Sequence, residues 1–459
     1  MTASAGYRPP APRPMDPLSS LVRTVARRDR DLLSILPAAA YTKLVTNLGW
    51  SRRGILLVND PPEVSRILAD PDGDFPKNDL MTGALMPLVG ESIFVSNGET
   101  WKRQRRMIEP AFSHMRINRA FAPMVAAVDA FVPDLARHAA DGTPLVLDHA
   151  MSQLTADIIT RTIFSKSLAS DAARAVFTAF GEWQGRVANV EVGRLLFGAP
   201  FEDVPQPQNV VEACNAIRAH IGALIDERLA PVAPVLDDIA GAAIAARDPE
   251  SGVAFTREEL IDEIGTFFLA GHETTASVLT WMLFLLSQLP DVAERLRAEL
   301  AQVVGDGPVE YEHVKKLPYV RAVFRETMRV YPPLTFIPRV AARDTVVAGR
   351  RVKRGTMIMI APWTMHRHRQ LWPDPERFDP DRWAPEREKA HVPGAYIPFG
   401  AGPRVCVGAA FAQVEAALII ARVVREYDIV PHDPSSVAPA SRLTTRPRRP
   451  ITVTVRRRG

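Results

Sequence analysis

Two short stretches of this chain carry residue types whose spacing can do chemistry. The first is Phe399-Gly400-Ala401-Gly402-Pro403-Arg404-Val405-Cys406-Val407-Gly408, a glycine-rich loop that runs into an apolar helical segment, Ala409 to Val424. A cysteine placed there faces the first backbone N–H groups of the following helix. Those groups and the helix dipole favour its thiolate. A lone thiolate in such a loop suits one axial position of a haem iron and leaves the other side open to oxygen. Gly402 permits a backbone angle that a β-carbon resists, and Gly408 lets the helix start lie close to a flat macrocycle. Arg404 is a fixed cation suited to a propionate, and Phe399 shields the sulfur. The competing reading is a buried structural cysteine, a common fate of an unpaired thiol.

The second stretch is Leu269-Ala270-Gly271-His272-Glu273-Thr274-Thr275-Ala276, set between Phe267-Phe268 and the apolar run Val278 to Leu286. Burying a carboxylate and a hydroxyl there without partners costs roughly a few kcal/mol, so they need a reason. A membrane span does not fit, because Asp262, Glu263, His272 and Glu273 interrupt it. A zinc-protease helix needs a second histidine where Ala276 stands. Two readings stay open: a satisfied polar spot in a core helix, or a working acid–alcohol pair. In the second, Thr274 bonds back to the carbonyl one turn earlier, Gly271 leaves space, and the ladder opens into a notch for oxygen and water. Glu273 then supplies protons through that water.

Weaker signals accompany these. Glu326 and Arg329 share a helix face, which alone is a common ion pair of little energetic weight. Trp101 and Arg105 sit one turn apart on a basic helix, with an indole N–H and a guanidinium as donors.

Together the motifs resemble those of the cytochrome P-450 family, the haem-thiolate monooxygenases, from about Pro61 to Val455. Phe399, Gly402, Arg404, Cys406 and Gly408 match its haem-binding signature, and Gly271 to Thr275 its oxygen-activation motif with Glu in place of Asp. Glu326 and Arg329 match its Glu-x-x-Arg pair. The arginine that completes this pair comes from one of two segments, Pro375-Glu376-Arg377-Phe378 or Phe378-Asp379-Pro380-Asp381-Arg382-Trp383. The aromatic-x-Pro-x-Arg-aromatic order of the second selects Arg382. Trp101 and Arg105 match the family's Trp-x-x-x-Arg helix, and Arg339 a further propionate arginine.

The resemblance implies a mainly α fold with a minor β-region and a long central helix over haem b. Cys406 is then the axial ligand, Glu273 and Thr274 deliver protons, and the Glu326–Arg329–Arg382 trio is structural. The pocket is expected from the apolar loop Met81–Val89, Thr266, Leu269, Ala270, Leu334, Phe336 and Ile337. The implied reaction inserts one atom of O2 into a C–H or C=C bond of an apolar substrate of fatty acid, terpenoid, steroid or polyketide type. No flavin or iron–sulfur module follows the haem loop. Electrons are therefore expected from NAD(P)H through ferredoxin and ferredoxin reductase, or a flavodoxin-type donor. Lys102, Arg103 and Arg106 are expected to form the cationic docking patch. Two other classes remain open: a haem protein that senses, rearranges or uses peroxide, and a non-enzymatic helical binding protein.

Composition sets the frame. The chain has 459 residues, 47% hydrophobic, with net charge +4, enough for a large core and not suggestive of nucleic acid. Its two cysteines, Cys214 and Cys406, exclude a disulfide framework and a multi-cysteine metal site, and suit a cytoplasmic location. Residues 1–20 read as an extended proline-rich lead-in without a membrane anchor, 21–455 as one domain, and 456–459 as a solvated basic tail. Proline and glycine punctuation predicts helices over Glu99–Ile108, Val210–Leu229, Arg257–Gln288, Asp291–Val304 and Pro318–Val330. Strands are predicted at Arg339–Ala342, Thr345–Val347 and Thr356–Ile360.

Overall fold

Most positions of Arg257–Gln288 are buried, several polar ones included, which leaves that helix little solvent face, and the protein is built around it. The computed structural model describes residues 6–16, 19, 31–48, 51, 54–187, 198–201 and 205–458. Residues 1–5, 17, 18 and 20 of the expected lead-in, the expected domain start at 21 and the last tail residue, Gly459, lie outside the described residues.

The helices that position the site are α1 (Asp79–Val89), α2 (Gly98–Ile108), α3 (Leu147–Phe164), α4 (Asp171–Val187), α5 (Gln208–Leu229), α6 (Arg257–Gln288), α7 (Pro318–Val330) and α8 (Ala409–Glu426). α6 has 32 residues, roughly 48 Å at 1.5 Å per residue, and begins with a capping box between Thr256 and Glu259. α3, α5, α7 and α8 all pack on it. Gly271 serves the first of these contacts. A Cβ at that position would lie 2.5 Å from Ile159 Cδ1 of α3. The glycine therefore permits close helix packing, and the space expected from it for an oxygen notch is filled by Ile159.

Strands gather in small sheets. In order across the largest they are β1 (Val45–Asn47), β2 (Ile55–Val58), Met357–Ile360 and Ile337–Val340; β2 runs parallel to Met357–Ile360 and the other pairs are antiparallel. In chain order the last two are β3 (Ile337–Val340) and β4 (Met357–Ile360), followed by the hairpin β5 (Pro439–Ser441) and β6 (Thr445–Pro447). The C-terminal strand β7 (Thr452–Arg457) pairs with Tyr427–Pro431.

Two expectations change on contact with the structure, and the lead-in gains contacts that the sequence did not specify. Residues Met81–Val89 belong to helix α1 rather than a loop. The basic tail is partly strand, and Arg458 is ion-paired to Asp428 at 3.0 Å and Glu294 at 3.1 Å. The described part of the lead-in is docked: Phe378 N–H donates to the Tyr7 carbonyl at 3.1 Å and Tyr331 Oη to the Pro10 carbonyl at 2.8 Å. Cys214 fills the core of α5, and burial pushes its thiol up to about 11.

Candidate functional site

The cysteine loop is shaped by its glycines. Gly400 and Gly402 have φ of 74° and 69°, the left-handed region that side chains resist. A Cβ on Gly402 would also come within 3.1 Å of the Leu68 carbonyl oxygen. The turn returns Cys406 N–H to the Phe399 carbonyl at 3.0 Å. Cys406 is open to the site, whereas Cys214 is sealed in the core. Burial of the sulfur atom pushes the thiol pKa up; the Gly408 backbone N–H and the Arg105 charge act against this and favour thiolate. Arg105 Nη1 donates to the Val405 carbonyl at 2.7 Å, and Nη2 pairs with Glu109 at 3.2 Å. Gly408 has an ordinary φ of −86°, and a Cβ there would lie 3.9 Å from Cys406 Sγ, so its backbone needs no glycine.

Beside this loop lies a group of crowded cations. The Arg404 guanidinium stacks over the Trp101 ring at 4.4 Å and donates to the Ser96 carbonyl at 3.1 Å. Lys77 and Arg339 are bridge partners across two backbone segments. Burial depresses the Lys77 ammonium to about 6, with the charges of Arg404 and Arg339 pushing the same way. Burial and Arg404 lower Arg339 to about 10. Asp70 reaches Arg339 and Arg404 only at long range, and no carboxylate among the described residues forms an ion pair with any of the three cations. Such a cluster is incomplete without an anion. A haem edge with two propionates has the matching charge, so these residues fit the group the fold family implies. Lys77 carried no sequence signal beyond being one lysine among charged neighbours, and only the strand bridge to Arg339 brings it here.

The acid and the alcohol of α6 diverge. Thr274 Oγ1 donates to the Ala270 carbonyl at 2.6 Å, on a strip of the helix where Ala270 and Thr274 are both accessible. Glu273 turns away into the protein. It pairs with Arg446 from β6, accepts from Thr444 Oγ1 at 2.6 Å, and accepts from Gln184 Nε2 of α4. Burial alone would raise its pKa, but the Arg446 charge and hydrogen bond, the His272 ring and the Thr444 hydrogen bond win and hold the carboxyl down at about 2. Arg446, Thr444 and Gln184 are distant in sequence and carry no motif.

The Glu326–Arg329 pair is completely buried. Arg329 binds both Glu326 oxygens, at 2.9 and 2.8 Å, and donates to the carbonyls of His366, Pro375 and Arg377. Arg382 Nε approaches Glu326 Oε1 at 3.5 Å, and its Nη1 donates to the Pro373 carbonyl at 2.8 Å. Trp383 Nε1 and Asp379 N–H complete the carboxylate. Arg377 contributes its carbonyl only.

The expected pocket residues separate into two groups. Ala270, Leu334, Phe336 and Ile337 retain accessible surface. Thr266 and Leu269 are buried, and the Thr266 hydroxyl donates to Ser92 Oγ at 2.7 Å, which commits it to helix–loop packing. The expected cationic patch is largely neutralised. Lys102 pairs with Glu99 at 2.7 Å, Arg103 with Glu259, and Arg106 with Asp248 at 3.0 Å and Glu250 at 2.9 Å.

Comparison with known proteins identifies the family. The family model Cytochrome P450 matches residues 38–455. The chain is 34% identical to cyclooctat-9-en-7-ol 5-monooxygenase of Streptomyces melanosporofaciens, over 90% of this chain and 88% of that protein. It is 31% identical to cyclooctatin synthase of the same organism, over 93% and 91% of the two chains. The crystal structure of the cytochrome P450DA haem domain superposes with a TM-score of 0.79, covering 91% of this chain and 90% of that one, at 24% identity. The chain belongs to the cytochrome P-450 family, oxidoreductases that use haem iron to incorporate molecular oxygen. No single helix among the described residues is long and apolar enough to cross a membrane.

Proposed function

We propose that this protein hydroxylates or epoxidises an apolar, ring-bearing small molecule of terpenoid type, with electrons from NAD(P)H through a ferredoxin and its reductase in the cytoplasm. The observation that carries the site reading is the cradle: Cys406 flanked by Arg105, with Arg404, Arg339 and Lys77 crowded beside it and in ion-pair contact with no carboxylate among the described residues. The name of the relative that oxidises cyclooctat-9-en-7-ol supports a cyclic alkene skeleton over a fatty acid.

Cys406 would hold the haem iron, while Arg404, Arg339 and Lys77 would hold the propionates, with Trp101 bracing Arg404. Haem bound there supplies reductive activation of O2 and transfer of one oxygen atom to substrate. The remaining work falls to the chain. Ala270, Leu334, Phe336 and Ile337 exclude water and orient the apolar substrate. Thr274 holds a proton at Oγ1, shared with the Ala270 carbonyl, where a water chain would meet α6. Glu273 is an anion that accepts a proton only when Arg446 or Gln184 lets go, which makes that ion pair a gate on proton entry.

The test is a spectral screen of purified holoprotein against cyclic terpenes, fatty acids and steroids, reading the haem spin-state shift, followed by turnover under labelled O2. A cyclic terpene should give the tightest shift and a product carrying one labelled oxygen. A tighter shift with fatty acids, or unlabelled product, would overturn the assignment. Thr274→Ala should retain substrate binding and divert reducing equivalents to peroxide or water; unchanged product per electron would remove Thr274 from the reading.

A further inference from the structure

The peptide unit of Ile93 is held at both ends by ionisable side chains. Its N–H donates to Glu263 Oε1 at 3.0 Å, and its carbonyl accepts from Lys77 Nζ at 2.7 Å. The rest of the loop is fixed to the same stretch of α6. Glu91 N–H donates to Asp262 Oδ2 at 3.1 Å, and Ser92 takes the Thr266 hydroxyl. Gly90, with φ of 50°, lets the backbone pass so close that a Cβ would lie 2.1 Å from the Asp262 carboxylate oxygens. Arg218 of α5 balances Asp262, with Nη1 at 2.6 Å from Oδ1 and 3.1 Å from the Leu88 carbonyl.

Among the described residues Glu263 has no such counter-charge in contact. It is wholly buried, and among the same residues Oε2 has no hydrogen-bond partner. An anion with one bare oxygen is costly in that setting; a neutral acid accepting at Oε1 costs less, because the group left unpaired carries no charge. Burial accordingly raises its pKa to about 8. The groups facing it are the Ile93 N–H and Lys77, which favour the anion, and Asp262 and Glu259, which oppose it. Lys77 spends one N–H on Ile93, and once an anion in the cradle restores its proton it has two more to donate.

We propose that Glu263 is a positioning residue: as a neutral acid it sets the 90–96 segment against α6 and, through the Ile93 peptide, aims Lys77 into the propionate cradle. Removing Glu263 releases Ile93 and Phe94, both partly exposed, and lets the Lys77 side chain drift; ionising it keeps the Ile93 N–H bond but leaves a bare, buried carboxylate oxygen that has to draw in water, which loosens the same segment. The Lys77 half rests on the haem-cradle reading above; the grip on the loop does not.

The test uses holoenzyme and follows amide hydrogen exchange of the peptide covering 90–96 in wild type, Glu263→Gln and Glu263→Ala, at matched pH from about 6 to about 9 so that intrinsic exchange cancels. At the acid end, wild type and Glu263→Gln should be equally protected, and Glu263→Ala about tenfold less, the size of one buried hydrogen bond. Above about pH 8 wild type should lose protection while Glu263→Gln, which cannot ionise, keeps it. Identical profiles for wild type and Glu263→Gln to the alkaline end, or full protection in Glu263→Ala, would overturn the grip. The second arm is the rate of haem transfer to excess apomyoglobin. Glu263→Ala should speed it in the wild-type background and leave it unchanged in a Lys77→Met background. Equal acceleration in both backgrounds would overturn the coupling through Lys77. A normal rate in Lys77→Met alone would instead remove Lys77 from the cradle and leave the exchange result standing.

Discussion

Glu273 and Arg446 form a buried ion pair that joins the middle of the long helix to the β6 hairpin, with the Glu273 carboxylate turned away from the strip that Thr274 presents. The two members of the acid–alcohol motif are adjacent in sequence and face different surroundings. The acid is tied to the fold before it serves any proton.

Its removal should therefore be costly in stability as well as turnover. Glu273→Gln leaves Arg446 buried without its counter-charge, a loss of about 3–5 kcal/mol. Because the folded carboxyl is held at about 2, below its unfolded value, this stabilisation is present above the unfolded pKa and lost as pH falls through about 2. Acid unfolding of wild type against Glu273→Gln checks both. Wild type should lose its advantage on acidification; a constant difference across that range would show that the pair does not set the linkage.

The Glu326 network makes a second comparison. Arg382 reaches the Glu326 carboxylate, whereas Arg377 lends only its backbone carbonyl to Arg329. Arg382→Ala leaves a buried pair without its third member and should cost roughly 3 kcal/mol, yielding haem-poor protein. Arg377→Ala keeps the carbonyl and should change stability by less than about 1 kcal/mol. Thermal melts and the haem-to-protein absorbance ratio decide it; the reverse order would reassign the third arginine.

Much of this site was legible because its signals are local. Cys406 with its glycines, the Glu326–Arg329 spacing and the bounds of α6 each lie within one short run of sequence, where turn chemistry, helix period and proline stops act directly. What was not legible depends on tertiary contact. Arg446, Gln184 and Lys77 reach the site from the β6 hairpin, α4 and the segment ahead of α1, and no spacing rule links them to it. The same limit applied to charge. Lys102, Arg103 and Arg106 read as a basic face until Glu259, Asp248 and Glu250 arrived from elsewhere to pair with two of them.

That pairing predicts how the α2 cations respond. Arg106 lies against Asp248, whose carboxyl is held down at about 2, first by the Arg106 hydrogen bond and then by Ser251. Arg106→Glu sets three carboxylates together and should lower the melting temperature more than it slows reduction by ferredoxin. Lys102→Glu disturbs only an exposed pair with Glu99 and should leave stability within about 0.5 kcal/mol. Stopped-flow reduction across a salt series, beside thermal melts, separates the effects. Strong slowing at low salt with normal stability in both variants would restore α2 as the docking face.

Gly271 gives the sharpest packing prediction, because the structure changes its meaning. A methyl group there would sit 2.5 Å from Ile159 Cδ1 and 2.9 Å from Cγ1, but 3.8 Å from Cβ. Gly271→Ala should therefore force α3 and α6 apart and cost about 1–3 kcal/mol, despite the higher helix propensity of alanine. Ile159→Ala alone opens a cavity and should cost about 2–5 kcal/mol. In the double variant the new methyl group enters that cavity, and the Ile159 Cβ, 3.8 Å away, is at van der Waals distance. The combined loss should then fall short of the sum by at least about 1 kcal/mol, a coupling that a double-mutant cycle measures directly. Strict additivity, or a Gly271→Ala variant as stable as wild type with lost turnover only, would return Gly271 to the oxygen notch and take it out of the helix contact.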